Sequence, residues 1–275
     1  MPELPEVETI RRQLSPFLSG KRIVGIEVSD PSLVAPQSPA VFKKDLKGHS
    51  IDCISRRGKY LLFELDAGHA LVIHLRMTGR LTQATFPLPR GARKHLRLVL
   101  RFNDGSGLVF HDMRRFGKAF ILTREQVTSY WRKLGPEPLG RSFNASYFSK
   151  KIEKRTRPIK SLLLDQTIVA GIGNIYADEA LFVARIHPMR PSGDLKEAEI
   201  GRLVDAIKKT LRRAIKLEGS SIDTYRDSQG QPGRFQETFR VHRRLGKVCP
   251  GCGRGLVEKI KVGGRGTYFC PSCQK

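Results

Sequence analysis

The sequence predicts a two-domain α+β protein, strand-rich in its first half, helical in its second, and closed by a small metal-held module. Three observations predict it. Between Ile23 and Leu122 at least six short runs rich in Val, Leu, Ile and Phe are bounded by Gly, Asp or Pro. From Thr123 onward the apolar spacing turns helical. Near the end, four of the five cysteines fall in two CxxC pairs. At 275 residues the chain is long enough for two domains with cores of their own.

The chain opens on MPELPEVE, an amine flanked by acids. Once Met1 is removed, Pro2 carries a free secondary amine. An α-amino group titrates near ~8 and a lysine near ~10.4, so at pH 7 roughly a tenth of the former is unprotonated, against under a thousandth of the latter. A secondary amine that attacks an aldehyde-level carbon gives an iminium, an electron sink for elimination. Glu3 and Glu6 are close enough in sequence to move protons around that amine. The same residues also read as an ordinary capped amphipathic helix. Pro5 suits a first helical position, Glu6 and Glu8 suit the first turn, and Val7, Ile10 and Leu14 share a face. The two readings are compatible, since such a helix would anchor the amine.

The runs RIVGIEV, KYLLFEL, ALVIHLRM, LRLVLRF, GLVF and AFIL follow. Several alternate with period two, which argues for an antiparallel sandwich or barrel. Cys53 falls in this region as a buried strand residue. Phe86 to Lys94 (FPLPRGARK) reads as a basic loop between strands. Three basic stretches stand out. RRGKYL puts Lys59 at a strand mouth behind Arg56 and Arg57, HLRMTGR holds His74, Arg76 and Met77, and HDMRRFGK holds Arg114, Arg115 and Phe116. A base that leaves a stack leaves a hole, which unbranched Met or flat Phe can fill. The plain alternative makes Met77 and Phe116 core residues.

TREQVTSYWRKL carries a helix cap and helical spacing, and GPEPLG reads as a linker. This gives a first domain over residues 1–134, a linker over 135–145, a helical domain over 146–238 and the cysteine module over 239–275. Helices are expected in SYFSKKIEK, PIKSLLLD, NIYADEALFVARI and LKEAEIGRLVDAIKKTLRRAIKL. In the last, Leu203, Ile207, Leu211 and Ile215 line one face. In GIGN, Gly171 and Gly173 allow a tight turn and Asn174 caps the next helix, whose first amides suit a phosphate. Helical LLLDQ precedes it, so the motif is helix–turn–helix, and Tyr176 stands where a dinucleotide fingerprint wants Gly or Ala. Gly219 to Phe235 is polar and rich in Gly and Ser, a flexible loop.

The spacing Cys249-x2-Cys252-x17-Cys270-x2-Cys273 suits one tetrahedral, structural zinc with no open position. Between the pairs, EKIKV–GGRG–TYF reads as a β-hairpin whose turn presents Arg265, either to a phosphate or groove or simply to solvent. Lys plus Arg is 50 against 26 for Asp plus Glu, a net charge of +24 that has to face something anionic. Nucleic acid is the first candidate. A membrane surface is the rival, but no long apolar run or lipidation signal supports it. The acidic start lacks a secretory h-region, and paired cysteines suit a reducing cytoplasm.

On these residues, from MPELPEVET to CPSCQK, the chain resembles the bacterial formamidopyrimidine-DNA glycosylases. PELPEVE separates it from the endonuclease VIII branch, whose opening resembles PEGPE. The resemblance implies an N-terminal β-sandwich and a helical domain with a helix–two-turn–helix and a zinc finger. It implies a monomer that excises oxidised purines, such as 8-oxoguanine and formamidopyrimidines, from damaged double-stranded DNA held between the domains. It also implies strand cleavage at abasic sites by β,δ-elimination. Pro2 would be the nucleophile at C1′, Glu3 the acid–base partner at the sugar, Glu6 a supporting carboxylate, and Lys59 a further catalytic-centre residue. Lys59, His74, Lys160, Asn174 and Arg265 would grip phosphates. Met77, Arg114 and Phe116 would enter the duplex, and Thr224 and Tyr225 would lie in the loop closing over the flipped base. Two rivals stand: a non-catalytic zinc-ribbon DNA binder, and an endonuclease VIII-like preference for oxidised pyrimidines.

Overall fold

The computed structural model describes residues 1–222 and 224–275. They divide into two units, Met1–Arg132 with Glu218–Arg234, and Lys133–Leu217 with Phe235–Lys275.

In the first unit, helix α1 (Leu4–Leu18) starts at a capping box between Glu3 and Glu6, with Pro5 in its first turn. Its apolar stripe of Val7, Ile10, Leu14 and Leu18 is fully buried. Strand β1 (Ile23–Val28) leads into two short helices, α2 (Pro31–Val34) and α3 (Pro39–Leu46). Asp30 and Ser38 cap them, each followed by a proline, a start signal the strand-dominated reading passed over. Strands β2 (Ile51–Arg57), β3 (Tyr60–Leu65), β4 (His69–His74), β5 (Gly79–Thr85), β6 (Leu96–Phe102), β7 (Ser106–Asp112) and β8 (Lys118–Thr123) follow. Helix α4 (Arg124–Trp131) then starts on a second capping box, Thr123 with Gln126.

The strands form two antiparallel sheets, ordered β1-β6-β7-β5 and β2-β3-β4-β8. One face of each feeds a common core with α1. Leu98, Leu100, Phe102, Leu108 and Phe110 meet Ile54, Leu61, Phe63, Leu71 and Ile73 there. Each such side chain contributes about 1.5–3 kcal/mol by leaving water. Cys53 departs from expectation: it is exposed. A register shift between Ile51 and Cys53 spends two residues of β2 against one of β3, so Ile54 takes the inward place.

The segment after Glu218 also departs. The sequence placed it in the helical domain as a loose loop, yet Glu218–Arg234 belongs to the first unit. Ser220, Tyr225, Asp227 and Ser228 are buried, and Tyr225 joins the sandwich core.

The second unit carries α5 (Ala145–Ile152), α6 (Ile159–Leu163), α7 (Asn174–Ala184) and α8 (Glu197–Lys216). The expected face of α8, Leu203, Ile207, Leu211 and Ile215, is buried. Helix α7 is buried nearly all round, and its acids have partners. The Glu179 carboxylate accepts the backbone N–H groups of Arg240, Val241 and His242 at 2.9–3.1 Å. Strands β9 (Glu258–Val262) and β10 (Arg265–Phe269) form the expected hairpin. Gly263 and Gly264, at φ 53° and 78°, supply the two left-handed positions that a tight two-residue turn requires.

Candidate active site and nucleic-acid interface

Pro2 is buried directly before the first turn of α1. Glu3 caps the helix, and the Glu6 carboxylate reaches back to accept the Glu3 N–H at 2.8 Å. Glu3 and Glu6 are 2% and 1% exposed, so both acids sit in a dry setting next to the proline. The capped-helix and catalytic readings are thus satisfied by the same atoms. With Met1 attached, the proline nitrogen is an amide; removal of Met1 exposes the amine.

Lys59 occupies the second position of the two-residue β2–β3 turn, behind Gly58 at φ 56°. The turn is braced toward α1. Arg56 donates to the Gly58 carbonyl at 2.8 Å and to Glu8 at 3.1 Å. Burial alone would raise the Glu8 carboxyl, but its hydrogen bonds to Arg11 and Arg12 and the charge of Arg56 hold it at about 2. Across the sheet, Tyr60 pairs with His74, which brings His74 to the same strand end as Lys59. Burial, then the charges of Arg76 and Lys59, depress His74 to about 3. Its Nδ1 accepts the Arg76 N–H at 2.9 Å, so the neutral ring carries its proton on Nε2 and offers one donor there.

Met77, Arg114 and Phe116 come together although they lie on two loops. Arg114 Nη1 donates to Met77 Sδ at 3.2 Å, and its guanidinium stands 4.8 Å from the Phe116 ring centroid. Met77 is 38% and Phe116 49% exposed, which excludes the core alternative for both. Asp112 clamps the pair of loops. One carboxylate oxygen accepts Thr78 Oγ1 and the Arg114 N–H, and the other accepts the Gly117 N–H at 2.7 Å. Asp112 and Thr78 escaped sequence reasoning. The available signal was an acid heading a turn in HDMRRFG.

In the second unit, the Cys249, Cys252, Cys270 and Cys273 sulfurs lie within 4.8 Å of one another. Cys249–Cys273 is 3.7 Å and Cys252–Cys270 is 3.9 Å. A tetrahedron of zinc–sulfur bonds near 2.3 Å has edges of about 3.8 Å. The residues therefore fit one four-thiolate zinc, and two of the sulfurs also accept N–H groups of Gly251 and Gly255. Arg265 is exposed at the first position of β10, just past the turn.

Two assignments on the neighbouring helices need correction. Asn174 does not cap α7; Gly173 does, and the Asn174 amide donates to Gly266 O at 2.9 Å, one residue from Arg265. Lys160 is 0% exposed. Its ammonium pairs with Asp178 at 2.6 Å and donates to Thr267 Oγ1 at 2.7 Å and Gly266 O at 3.2 Å. A phosphate cannot reach it there. Asp178 holds His242 Nδ1 at 2.8 Å with its other oxygen, so Lys160 braces the hairpin that carries Arg265. The Tyr225 hydroxyl donates to the Glu6 carbonyl at 3.4 Å and its ring packs in the core. Thr224 remains half-buried in that loop.

A buried proline with two dry acids, an exposed Met–Arg–Phe wedge and a thiolate-held basic hairpin define a DNA base-excision repair enzyme. Three family models match along the chain: formamidopyrimidine-DNA glycosylase N-terminal domain over residues 1–119, formamidopyrimidine-DNA glycosylase H2TH domain over 134–226, and zinc finger found in FPG and IleRS over 246–275. The formamidopyrimidine-DNA glycosylase of Lactococcus lactis subsp. lactis (strain IL1403) is 45% identical, with all of both chains covered. A Lactococcus lactis Fpg mutant solved in complex with Fapy-dG-containing DNA superimposes at a TM-score of 0.93 with 44% identity, covering all of both chains. Lactococcus lactis Fpg bound to abasic-site DNA does so at 0.93 and 44%, covering 99% of each. The chain belongs to the formamidopyrimidine-DNA glycosylase family. No helix among the described residues is long and apolar enough to cross a membrane.

Proposed function

We propose that the enzyme excises oxidised purines, 8-oxoguanine and formamidopyrimidines, from duplex DNA and then cuts the strand by β,δ-elimination. The observation that carries this is the chain start: Pro2 leading a helix whose capping box sets Glu3 and Glu6 in a dry pocket beside it. The Pro2 nitrogen forms a bond to C1′ as the base leaves with the bonding electrons and takes up the proton that Pro2 sheds. Glu3 delivers a proton to O4′, the sugar opens and the iminium forms. That cation acidifies C2′, so loss of a C2′ proton expels the 3′ phosphate, and a second elimination expels the 5′ phosphate. Water then releases Pro2. The four-thiolate zinc would hold the hairpin and take no part, since it has no open position.

Met77, Arg114 and Phe116 fill the gap the flipped nucleotide leaves, which offsets an unstacking cost of a few kcal/mol. Lys59, the Nε2–H of His74, Asn174 beside the α7 amides, and Arg265 grip phosphates. Lys160 serves them from behind, and Thr224 lies in the loop that covers the base. The test is cleavage of 8-oxoguanine and thymine-glycol duplexes side by side. Preference for 8-oxoguanine is expected; preference for thymine glycol shifts the assignment to oxidised pyrimidines.

A further inference from the structure

Besides the Tyr225 hydroxyl on the Glu6 carbonyl, the segment after Glu218 is held to α1 near Ser220 and near Asp227, and the tie near Asp227 falls on a residue with no assigned role. At the near limb, the Ser220 N–H donates to Glu6 Oε1 at 2.7 Å. At the far limb, Gln13 uses both ends of its amide. Its Nε2 donates to Asp227 Oδ2 at 2.7 Å, and its Oε1 accepts the Ser228 N–H at 3.0 Å and the Ser228 hydroxyl at 2.8 Å. Asp227 and Ser228 are 2% and 0% exposed, so these bonds are made away from water. The other Asp227 oxygen accepts the Gln229 and Gln231 N–H groups, which folds the far limb into a fixed turn. Ser228 O also accepts the Gln83 N–H of β5 at 3.0 Å.

Glu6 and Gln13 are seven residues apart on one helix, two turns, or about 10 Å along its axis. That helix begins with Pro2 and Glu3. The two limbs of the loop are therefore referenced to the nucleophile's own support, with Thr224 on the stretch between them. We propose that Gln13 is a positioning residue for recognition of the flipped base. It fixes the far limb so that the loop meets a base held over Pro2. This rests on the function proposed above. An abasic site presents no base, so Gln13 acts on excision and not on elimination at a site already abasic.

The experiment compares the parent protein with Gln13→Leu, and with Ser228→Ala as a milder second variant. Gln13 is half-buried, which favours a folded product. Single-turnover rates are measured on an 8-oxoguanine duplex and on a preformed abasic duplex. Gln13→Leu loses three hydrogen bonds to buried partners, and excision is expected to fall about ten- to a hundredfold with elimination changed less than about twofold. Ser228→Ala is expected to fall in the same direction by less. Faster amide hydrogen exchange at Asp227 and Ser228 in Gln13→Leu is the independent check. Equal loss on both substrates, or no loss on either, overturns the proposal. A parent that excises no 8-oxoguanine overturns the functional reading and the proposal with it. That result differs from the proposal's own failure, in which the parent excises and the ratio of rates does not move.

Discussion

Replacing Lys160 with Met deletes one charge of a pair in which both side chains are fully buried and 2.6 Å apart. The Asp178 carboxylate then stays in the interior facing His242 and the Tyr268 N–H. Removing one partner of such a pair costs about 3–5 kcal/mol, most of it the price of the stranded charge. For a chain of this length that lowers the melting temperature by roughly 10 °C. Lys160→Met/Asp178→Leu removes both charges and should recover most of the loss, since an apolar pair of similar volume is often neutral or better. Each phosphate a protein neutralises contributes about −0.9 to the log–log salt slope of DNA binding. The double variant should therefore keep the parental slope, whereas Arg265→Ala should flatten it by about one unit. Melting of the zinc-loaded proteins and a salt titration on undamaged duplex give both readings. A Lys160→Met protein that melts with the parent and loses one unit of slope would show that the ammonium faces a phosphate, and would refute the buried-brace account.

Three further outcomes are expected. His74 should stay neutral from pH 5 to 8 in imidazole NMR. Its folded pKa near 3 lies below the unfolded value near 6.5, so it removes stability as pH falls through that window, by up to about 1.4 kcal/mol per pH unit, and His74→Asn should flatten this acid slope; a His74 titration near 6.5 contradicts it. Cys252→Ser or zinc chelation should abolish lesion cleavage by releasing the hairpin that carries Arg265, and parental cleavage without metal would make the finger dispensable. Arg114→Ala should lose its preference for cytosine over adenine opposite the lesion. The guanidinium fork matches the two acceptors of cytosine, a difference of about 1–3 kcal/mol, and an unchanged ratio of single-turnover rates would show that Arg114 does not read that base.

Much of this was legible in the chain. Short apolar runs, several of them alternating, marked β1, β3, β4, β6, β7 and β8, and cysteine spacing marked the metal site. β2 (IDCISRR) and β5 (GRLTQAT) carry too many polar residues to alternate cleanly, so their place came only from pairing with β3 and β7. The bulge that turned Cys53 outward has no signature in one strand read alone. Chemistry-bearing residues were found by type, but their surroundings were not. Lys160 and Arg265 are both basic, and residue type alone does not separate them, yet one is sealed and the other exposed. Composition also made residues 219–235 look loose. The ties that hold them, Glu6 to Ser220 and Gln13 to Asp227, join residues 214 apart.

The central claim is that the Pro2 nitrogen attacks the sugar. Borohydride reduction during reaction with abasic DNA, followed by peptide mass spectrometry, tests it most directly. Protein shown to lack Met1 should be trapped covalently through Pro2. Protein that keeps Met1 offers only an amide nitrogen there and should bind DNA without being trapped. Efficient trapping of the Met1-bearing form, or a cross-link that maps to a lysine such as Lys59, would contradict the account.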